Sequence, residues 1–152
     1  MIVRVFNRQK ELPLSKASVA PIVKALLKKE GIECDEVGIY FVDAKKICQL
    51  HKAFFQDPSF TDCISFPIDG PKKRSGYSIL GEIFICPAAA IKYAAPREKD
   101  PYQELLLYLV HGLLHLLGYD DLSPADKRTM RKKEKSCMDF LQREQLKILE
   151  KS

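Results

Sequence analysis

The sequence has 152 residues, of which 25 are lysine or arginine and 20 are aspartate or glutamate, so the formal net charge is +5. This length fits one domain, residues 1–152, with a core of ordinary size, and 46% apolar with 30% charged residues excludes a chain that is disordered throughout. The small excess of base favours a negatively charged partner but does not by itself establish nucleic-acid binding.

Strand and helix patterns alternate along the chain. Asp43 is a candidate helix N-cap and Gly31 a helix stop. In chain order, the patterns predict a strand at 2–7, helices at 15–30 and 43–55 on either side of a strand at 36–42, strands at 63–68 and 79–86, and helices at 87–95, 101–117 and 123–149. The expected fold is a single α+β (mixed α/β) domain whose small mixed sheet packs with helices around one central helix.

The helix predicted at 101–117 has the clearest boundaries. Asp100 is its candidate N-cap, Pro101 occupies the first position, Gln103 completes a capping box and Gly118 suits the C′ position. The helix would be about 25 Å long at about 1.5 Å per residue. Because the segment is apolar on almost every side, we expect it to be the buried central helix.

Several features indicate the compartment. The longest apolar stretch, 105–117, is interrupted by His111 and His115 and is too short to span a bilayer. The first ten residues lack the apolar run of a secretory signal. The five cysteines are odd in number and form no CxxC pair, which favours reduced thiols. We therefore expect a cytoplasmic protein with no membrane partner.

The central helix carries two histidines, His111 and His115, at i, i+4 spacing. This spacing places both imidazoles on one helix face, where they can bind one metal ion. Burial of two imidazoles among leucines costs free energy unless their nitrogens have partners. Hydrogen bonds to the backbone are the alternative explanation for histidines in such a position.

A third ligand would complete a metal site. The pattern H-x-x-x-H-x-x-G-x-x-D, which ends at Asp121, can place three ligands around one ion, since Gly118 allows the chain to turn back. Asp120 and Glu104 are alternatives, the latter because it lies seven residues before His111 on the same helical stripe. We favour Asp121, and imidazole with carboxylate ligands suits zinc without excluding other divalent metals.

The same spacing occurs in zinc proteases, but one residue differs. Those enzymes place a glutamate directly after the first histidine as general base, whereas this chain has Gly112. Ordinary zincin proteolysis is therefore disfavoured. A glycine inside a helix costs about 1 kcal/mol relative to alanine, which indicates that a neighbour needs the space.

Three segments resemble one known family. The segment 111–121 reads HGLLHLLGYDD and is similar to the signature H-G-x-L-H-L-x-G-Y-D-H of the YbeY family. The segment 50–69, LHKAFFQDPSFTDCISFPID, resembles the family's L-N-x-x-Y-R-x-x-D-x-P-T-D-V-L-S-F-P, and 80–86, LGEIFIC, resembles its L-G-D-I-x-I strand. The motif order covers about residues 36–140.

The resemblance implies a function and a site. Members of that family are bacterial metal-dependent endoribonucleases implicated in ribosomal RNA maturation. We accordingly expect cleavage of single-stranded RNA in ribosomal RNA maturation and ribosome quality control, with ribosomal RNA and the small ribosomal subunit as partners and no DNA. One ion, expected to be zinc, would be held by His111, His115 and Asp121, which would act in catalysis through it.

Three departures from the family pattern bear on the site. Asp121 replaces the third histidine, and its charge should lessen the pull of the metal on a bound water. Phe55 stands where the family has an arginine, and a phenyl ring cannot pair with a phosphate. The missing charge would then come from Lys52 or the loop at 72–74. His51 replaces the family's asparagine and is a candidate cleft residue.

Basic residues near the motifs are candidates for holding the RNA backbone. They are Lys72, Lys73 and Arg74 in the loop, and Lys132 and Lys133 in the basic segment 127–135. A solvated helix face is the alternative for that segment, since Asp126 and Glu134 dilute its charge. The alternative function is a non-catalytic RNA- or ribosome-binding assembly factor with a structural metal site.

Overall fold

The computed structural model describes residues 1–72 and 75–151. In chain order the strands and helices are β1 Ile2–Arg8, α1 Val19–Lys29, β2 Glu36–Val42, α2 Ala44–Phe55, β3 Cys63–Pro67, β4 Ile79–Ile85, α3 Pro87–Ala94, α4 Pro101–Leu116 and α5 Pro124–Arg143. Short 3₁₀ turns precede α1 and follow α3. The α+β class is confirmed, and most predicted bounds agree within two residues.

The four strands form one mixed sheet in the order β1-β2-β4-β3. β1 pairs with β2 and β2 with β4 in parallel, while β3 runs antiparallel to β4 at the edge. The central strand β2 has the near-continuous apolar run expected of a strand that is covered on both faces. The antiparallel edge strand β3 comes directly after the loop that follows α2, so this edge brings the 50–69 motif beside the central helix.

Helix α4 is the centre of the packing. It contacts β3 and β4 on one side and α3 and α5 on the others, and all of its leucines except the partly buried Leu107 are buried. Gly112 faces the sheet, where an added Cβ would lie 2.6 Å from Ile83 Cγ2. The Ser65 hydroxyl of β3 donates a hydrogen bond of 2.8 Å to the Gly112 carbonyl. The neighbour that needs the space left by the missing side chain of Gly112 is therefore Ile83 of β4.

Two predicted helix ends were wrong. α5 ends at Arg143 rather than near 149, and α1 begins at Val19 rather than near 15. Lys16–Ser18 form a 3₁₀ turn before α1, and the left-handed Gln145, whose amide donates to the Gln142 carbonyl, follows the end of α5. The Ser15 amide donates to the Leu149 carbonyl, and the Leu149 amide donates to Ser18 Oγ. These long-range hydrogen bonds join the segment after α5 to the residues before α1.

Within residues 1–72 and 75–151, no helix is long and apolar enough to cross a membrane. All five cysteines are free thiols.

Candidate metal centre

Three side chains meet at the C-terminal end of α4. His115 Nε2 lies 3.0 Å from His111 Nε2, and Asp121 Oδ2 lies 3.5 Å from each of these nitrogens. His111 and His115 are one turn apart on α4, as the i, i+4 spacing requires. In the described part of the chain, this is the one group of three or more potential ligands whose donor atoms lie within 4.8 Å of one another.

The end of α4 brings Asp121 back to the histidines. Gly118 has φ +99°, its amide donates to the His115 carbonyl, and the Tyr119 amide donates to the Leu114 carbonyl. These two bonds form a Schellman motif, which satisfies the last helical carbonyls and reverses the chain. The left-handed residue is a glycine because other residues are strained there.

The three donor atoms fit a tetrahedral divalent metal. Ligand atoms about 2.0–2.1 Å from a zinc ion lie about 3.3–3.4 Å from one another in a tetrahedron. The distances of 3.0, 3.5 and 3.5 Å are close to this value. Two imidazole nitrogens and one carboxylate oxygen are ligands that zinc accepts. Three protein ligands leave one position open, as in catalytic rather than structural zinc sites.

Glu134 of α5 supports the first histidine. His111 Nδ1 donates a hydrogen bond of 2.6 Å to Glu134 Oε2. In the neutral ring, the proton on Nδ1 leaves Nε2 unprotonated and directed toward His115 and Asp121, which is the tautomer that a metal needs. The hydrogen bond to the Glu134 carboxylate and the charge of that carboxylate raise the pKa of His111, against the opposing effect of burial.

Sequence reasoning missed this role of Glu134 and counted the residue only as a charge that dilutes a basic helix. A signal was present in the spacing. Met130, Cys137 and Leu141 are buried on the inward side of α5, and Glu134 falls on the same stripe at i+4 from Met130 and i−3 from Cys137. A single acid on an otherwise apolar stripe needs a partner inside the fold.

The alternative ligands lie outside the group of three. Asp120 Oδ1 accepts a hydrogen bond of 2.8 Å from the Asp121 amide, so it stabilises the turn that presents Asp121. Glu104 is hydrogen-bonded to Tyr108, and burial raises the pKa of its carboxyl. The geometry therefore favours Asp121 as the third ligand.

The histidines and Asp121 line an open cleft of about 610 Å³. Its other walls are α2, which contributes His51 and Phe55, and the segment 61–65 with Pro67. His51 Nδ1 lies 3.0 Å from the Ser59 carbonyl oxygen, which holds the loop after α2 against the helix. His51 and Phe55, which replace the asparagine and the arginine of the YbeY motif, thus both line the cleft of the candidate metal site.

The predicted RNA-binding residues differ in their surroundings. Lys72 and Lys132 are exposed, whereas Lys73 and Arg74 lie outside the described residues. Lys133 Nζ lies 2.5 Å from Glu30 Oε1 and 5.4 Å from the centre of the Tyr119 ring. Lys133 therefore ties α5 to the end of α1, and its charge is balanced locally.

Comparisons with known proteins agree with these motifs. The family model described as Endoribonuclease YbeY matches residues 4–142. The chain is 51% identical to the endoribonuclease YbeY of Protochlamydia amoebophila, over 97% of this chain and 98% of that protein. It is 43% identical to the endoribonuclease YbeY of Chlamydia felis, over 90% and 89%. A solution structure of a Thermotoga maritima protein shares the fold, with a TM-score of 0.62 and 24% identity over 91% of this chain and 87% of that one.

Proposed function

The chain belongs to the endoribonuclease YbeY family, and on this premise we propose that it is a metal-dependent endoribonuclease that hydrolyses phosphodiester bonds of single-stranded RNA. The observation that carries the proposal is the set of three donor atoms of His111, His115 and Asp121 in an open cleft. A structural site would be closed by a fourth protein ligand.

A divalent ion, which we propose to be one zinc, would be held by His111 Nε2, His115 Nε2 and Asp121 Oδ2. When bound, this ion would lower the pKa of water and polarise a phosphoryl oxygen. The chain's own residues prepare this site in two ways. Glu134 fixes the ring orientation and tautomer of His111, and the bond from Ser65 to the Gly112 carbonyl fixes α4 against β3.

Basic residues would hold the RNA backbone. We assign this role to Lys72 and Lys132, which are exposed, and to Lys73 and Arg74, which lie outside the described residues. Lys133 was also predicted to bind RNA, but its ion pair with Glu30 means that it should contribute less than Lys132. The cellular substrate that we propose is ribosomal RNA at the small ribosomal subunit in the cytoplasm, which fits the net charge of +5 and the free thiols.

The test is cleavage of single-stranded RNA by the purified protein before and after metal removal. We expect cleavage to be lost on chelation, to return on addition of zinc or another divalent metal, and to be absent in His111→Ala. Asp139→Ala, which removes an exposed acid of α5 that pairs with Lys135, is the control and should cleave normally. Unchanged cleavage by metal-free protein and by His111→Ala would overturn the metal mechanism.

The non-catalytic alternative is favoured by one observation. Phe55, rather than the arginine of the family motif, lines the cleft and offers no charge to a phosphate. Tight binding of RNA or ribosomal subunits without cleavage at any metal would select this alternative.

A further inference from the structure

A cluster of aromatic side chains lies at one wall of the metal cleft, and the proposed hydrolysis does not use it. Phe54 and Phe55 end α2, and both contact Phe66 of β3, with ring centroids 4.9 Å and 6.4 Å apart. His51, one turn earlier on α2, lies 5.6 Å from the Phe55 ring. Only two members of this cluster, His51 and Phe55, line the cleft.

Phe55 is held in place although it is exposed. Its ring lies at 29° to Phe66 and at 54° to His51, and the next residue, Gln56, ends the helix in the left-handed conformation. The His51 ring is itself anchored by the Ser59 carbonyl. Even so, 54% of Phe55 remains accessible. The fold thus presents a supported phenyl ring to a cleft that also holds the three candidate ligands.

If RNA binds in this cleft, the group that suits contact with a phenyl ring is a nucleobase. Phenylalanine cannot pair with a phosphate, but every nucleobase has a π-face that stacks on an aromatic side chain irrespective of sequence. In duplex RNA the bases are already stacked and their faces are not available. Lys52, which is exposed on the same turn of α2, offers positive charge for a phosphate beside such a base.

We propose that Phe55 forms a nucleobase subsite, in which its ring stacks on an unpaired base of the strand whose phosphate lies at His111, His115 and Asp121. This inference rests on the proposed endoribonuclease function and deepens it. The residue that replaces the family's arginine thereby binds the base instead of the phosphate, and selects RNA that has an unpaired nucleotide next to the cleaved bond.

A fluorescence measurement tests the stacking directly. The sequence contains no tryptophan, so Phe55→Trp places the single indole of the protein in the cleft. We expect a short single-stranded oligoadenylate, mixed with the metal-loaded variant, to quench this fluorescence before cleavage proceeds. A fully abasic ribose-phosphate strand of the same length and a duplex should both leave it nearly unchanged. Equal quenching by the abasic strand would overturn the proposal.

Cleavage kinetics supply the second test, with Phe54→Ala as the matched control. Phe54 is 64% exposed and neighbours Phe55 but does not line the cleft. Loss of one stacked base should lower kcat/KM of Phe55→Ala for single-stranded RNA about 5- to 150-fold. Phe54→Ala should remain within about 2-fold of the wild type, since it removes no base contact, and Phe55→Trp should restore most of the activity.

The outcomes separate this inference from the proposed function. If the wild type cleaves single-stranded RNA and Phe55→Ala cleaves it equally well, the base subsite is wrong and the endoribonuclease function stands. If the oligoadenylate quenches the fluorescence of Phe55→Trp in a base-dependent way but the wild type never cleaves RNA, the subsite stands and the catalytic function fails. Equal losses in Phe55→Ala and Phe54→Ala would show a general structural effect and refute the subsite.

Discussion

The contact between Glu134 and His111 gives a quantitative prediction about metal affinity. The bond is short, at 2.6 Å, and links a carboxylate to a ring nitrogen in a partly buried position. Charge-assisted hydrogen bonds are about twice as strong as neutral ones. Carboxylate partners of metal-binding histidines typically contribute 10- to 100-fold in metal affinity, which corresponds to about 1.4–2.7 kcal/mol.

Two substitutions divide this effect into charge and hydrogen bonding. Glu134→Ala removes both and should raise the Kd for zinc about 10- to 100-fold. Glu134→Gln keeps an acceptor for Nδ1–H but loses the charge, so about half of the free energy should remain and the Kd should rise about 3- to 10-fold. Asp139→Ala is the control, because Asp139 is an exposed acid on the same helix.

The assay is a competition titration of the metal-free protein against a chromophoric chelator at fixed pH and ionic strength. An unchanged Kd in Glu134→Ala, within about 2-fold of the control, would show that Glu134 does not support the metal ligand. If Glu134→Gln binds zinc as weakly as Glu134→Ala, the charge of Glu134, and not its hydrogen bond, is responsible for the effect.

Three further predictions follow from other contacts. Gly112→Ala should lower Tm by about 2–4 °C in thermal melts, since about 2 kcal/mol of overpacking against Ile83 outweighs about 1 kcal/mol of helix propensity; a raised Tm would contradict this. Burial acts to raise the pKa of Glu30, but the hydrogen bonds from Lys133 and Lys29 lower this pKa below its ordinary 4.5. Glu30→Gln should therefore cost about 1 kcal/mol of unfolding free energy at neutral pH, and this difference should shrink as the pH falls through the lowered pKa; a difference that persists in acid would refute the ion-pair explanation. Lys132→Ala should reduce the slope of log K against log salt for RNA binding by about 0.7, and Lys133→Ala by less; equal slopes in all three proteins would exclude both lysines from phosphate contacts.

Much of the fold could be predicted because local signals were strong. α4 has an N-cap at Asp100, whose side chain accepts from the Tyr102 amide, and a glycine at its C′ end. These local interactions determine where the helix begins and ends, and therefore where His111 and His115 face the same side. That Asp121 lies beside the two histidines could be predicted because only a short glycine turn separates it from the helix.

Other parts of the site depend on packing between distant segments. Glu134 reaches His111 because α5 crosses α4, and nothing local in the sequence fixes that crossing. The pairing of Lys133 with Glu30 likewise depends on how α5 meets α1, so a basic run alone could not separate Lys132 from Lys133. The return of the chain after α5 likewise depends on hydrogen bonds between Leu149 and the residues before α1, which are far apart in sequence.

We propose that His111, His115 and Asp121 hold one divalent metal that RNA cleavage requires. The most direct test measures metal content and single-stranded RNA cleavage together in the wild type and in Asp121→Ala. We expect about one equivalent of metal and cleavage in the wild type, as a three-ligand site requires, and loss of both in the variant. If Asp121→Ala loses its metal but cleaves RNA at the wild-type rate, cleavage does not require the metal.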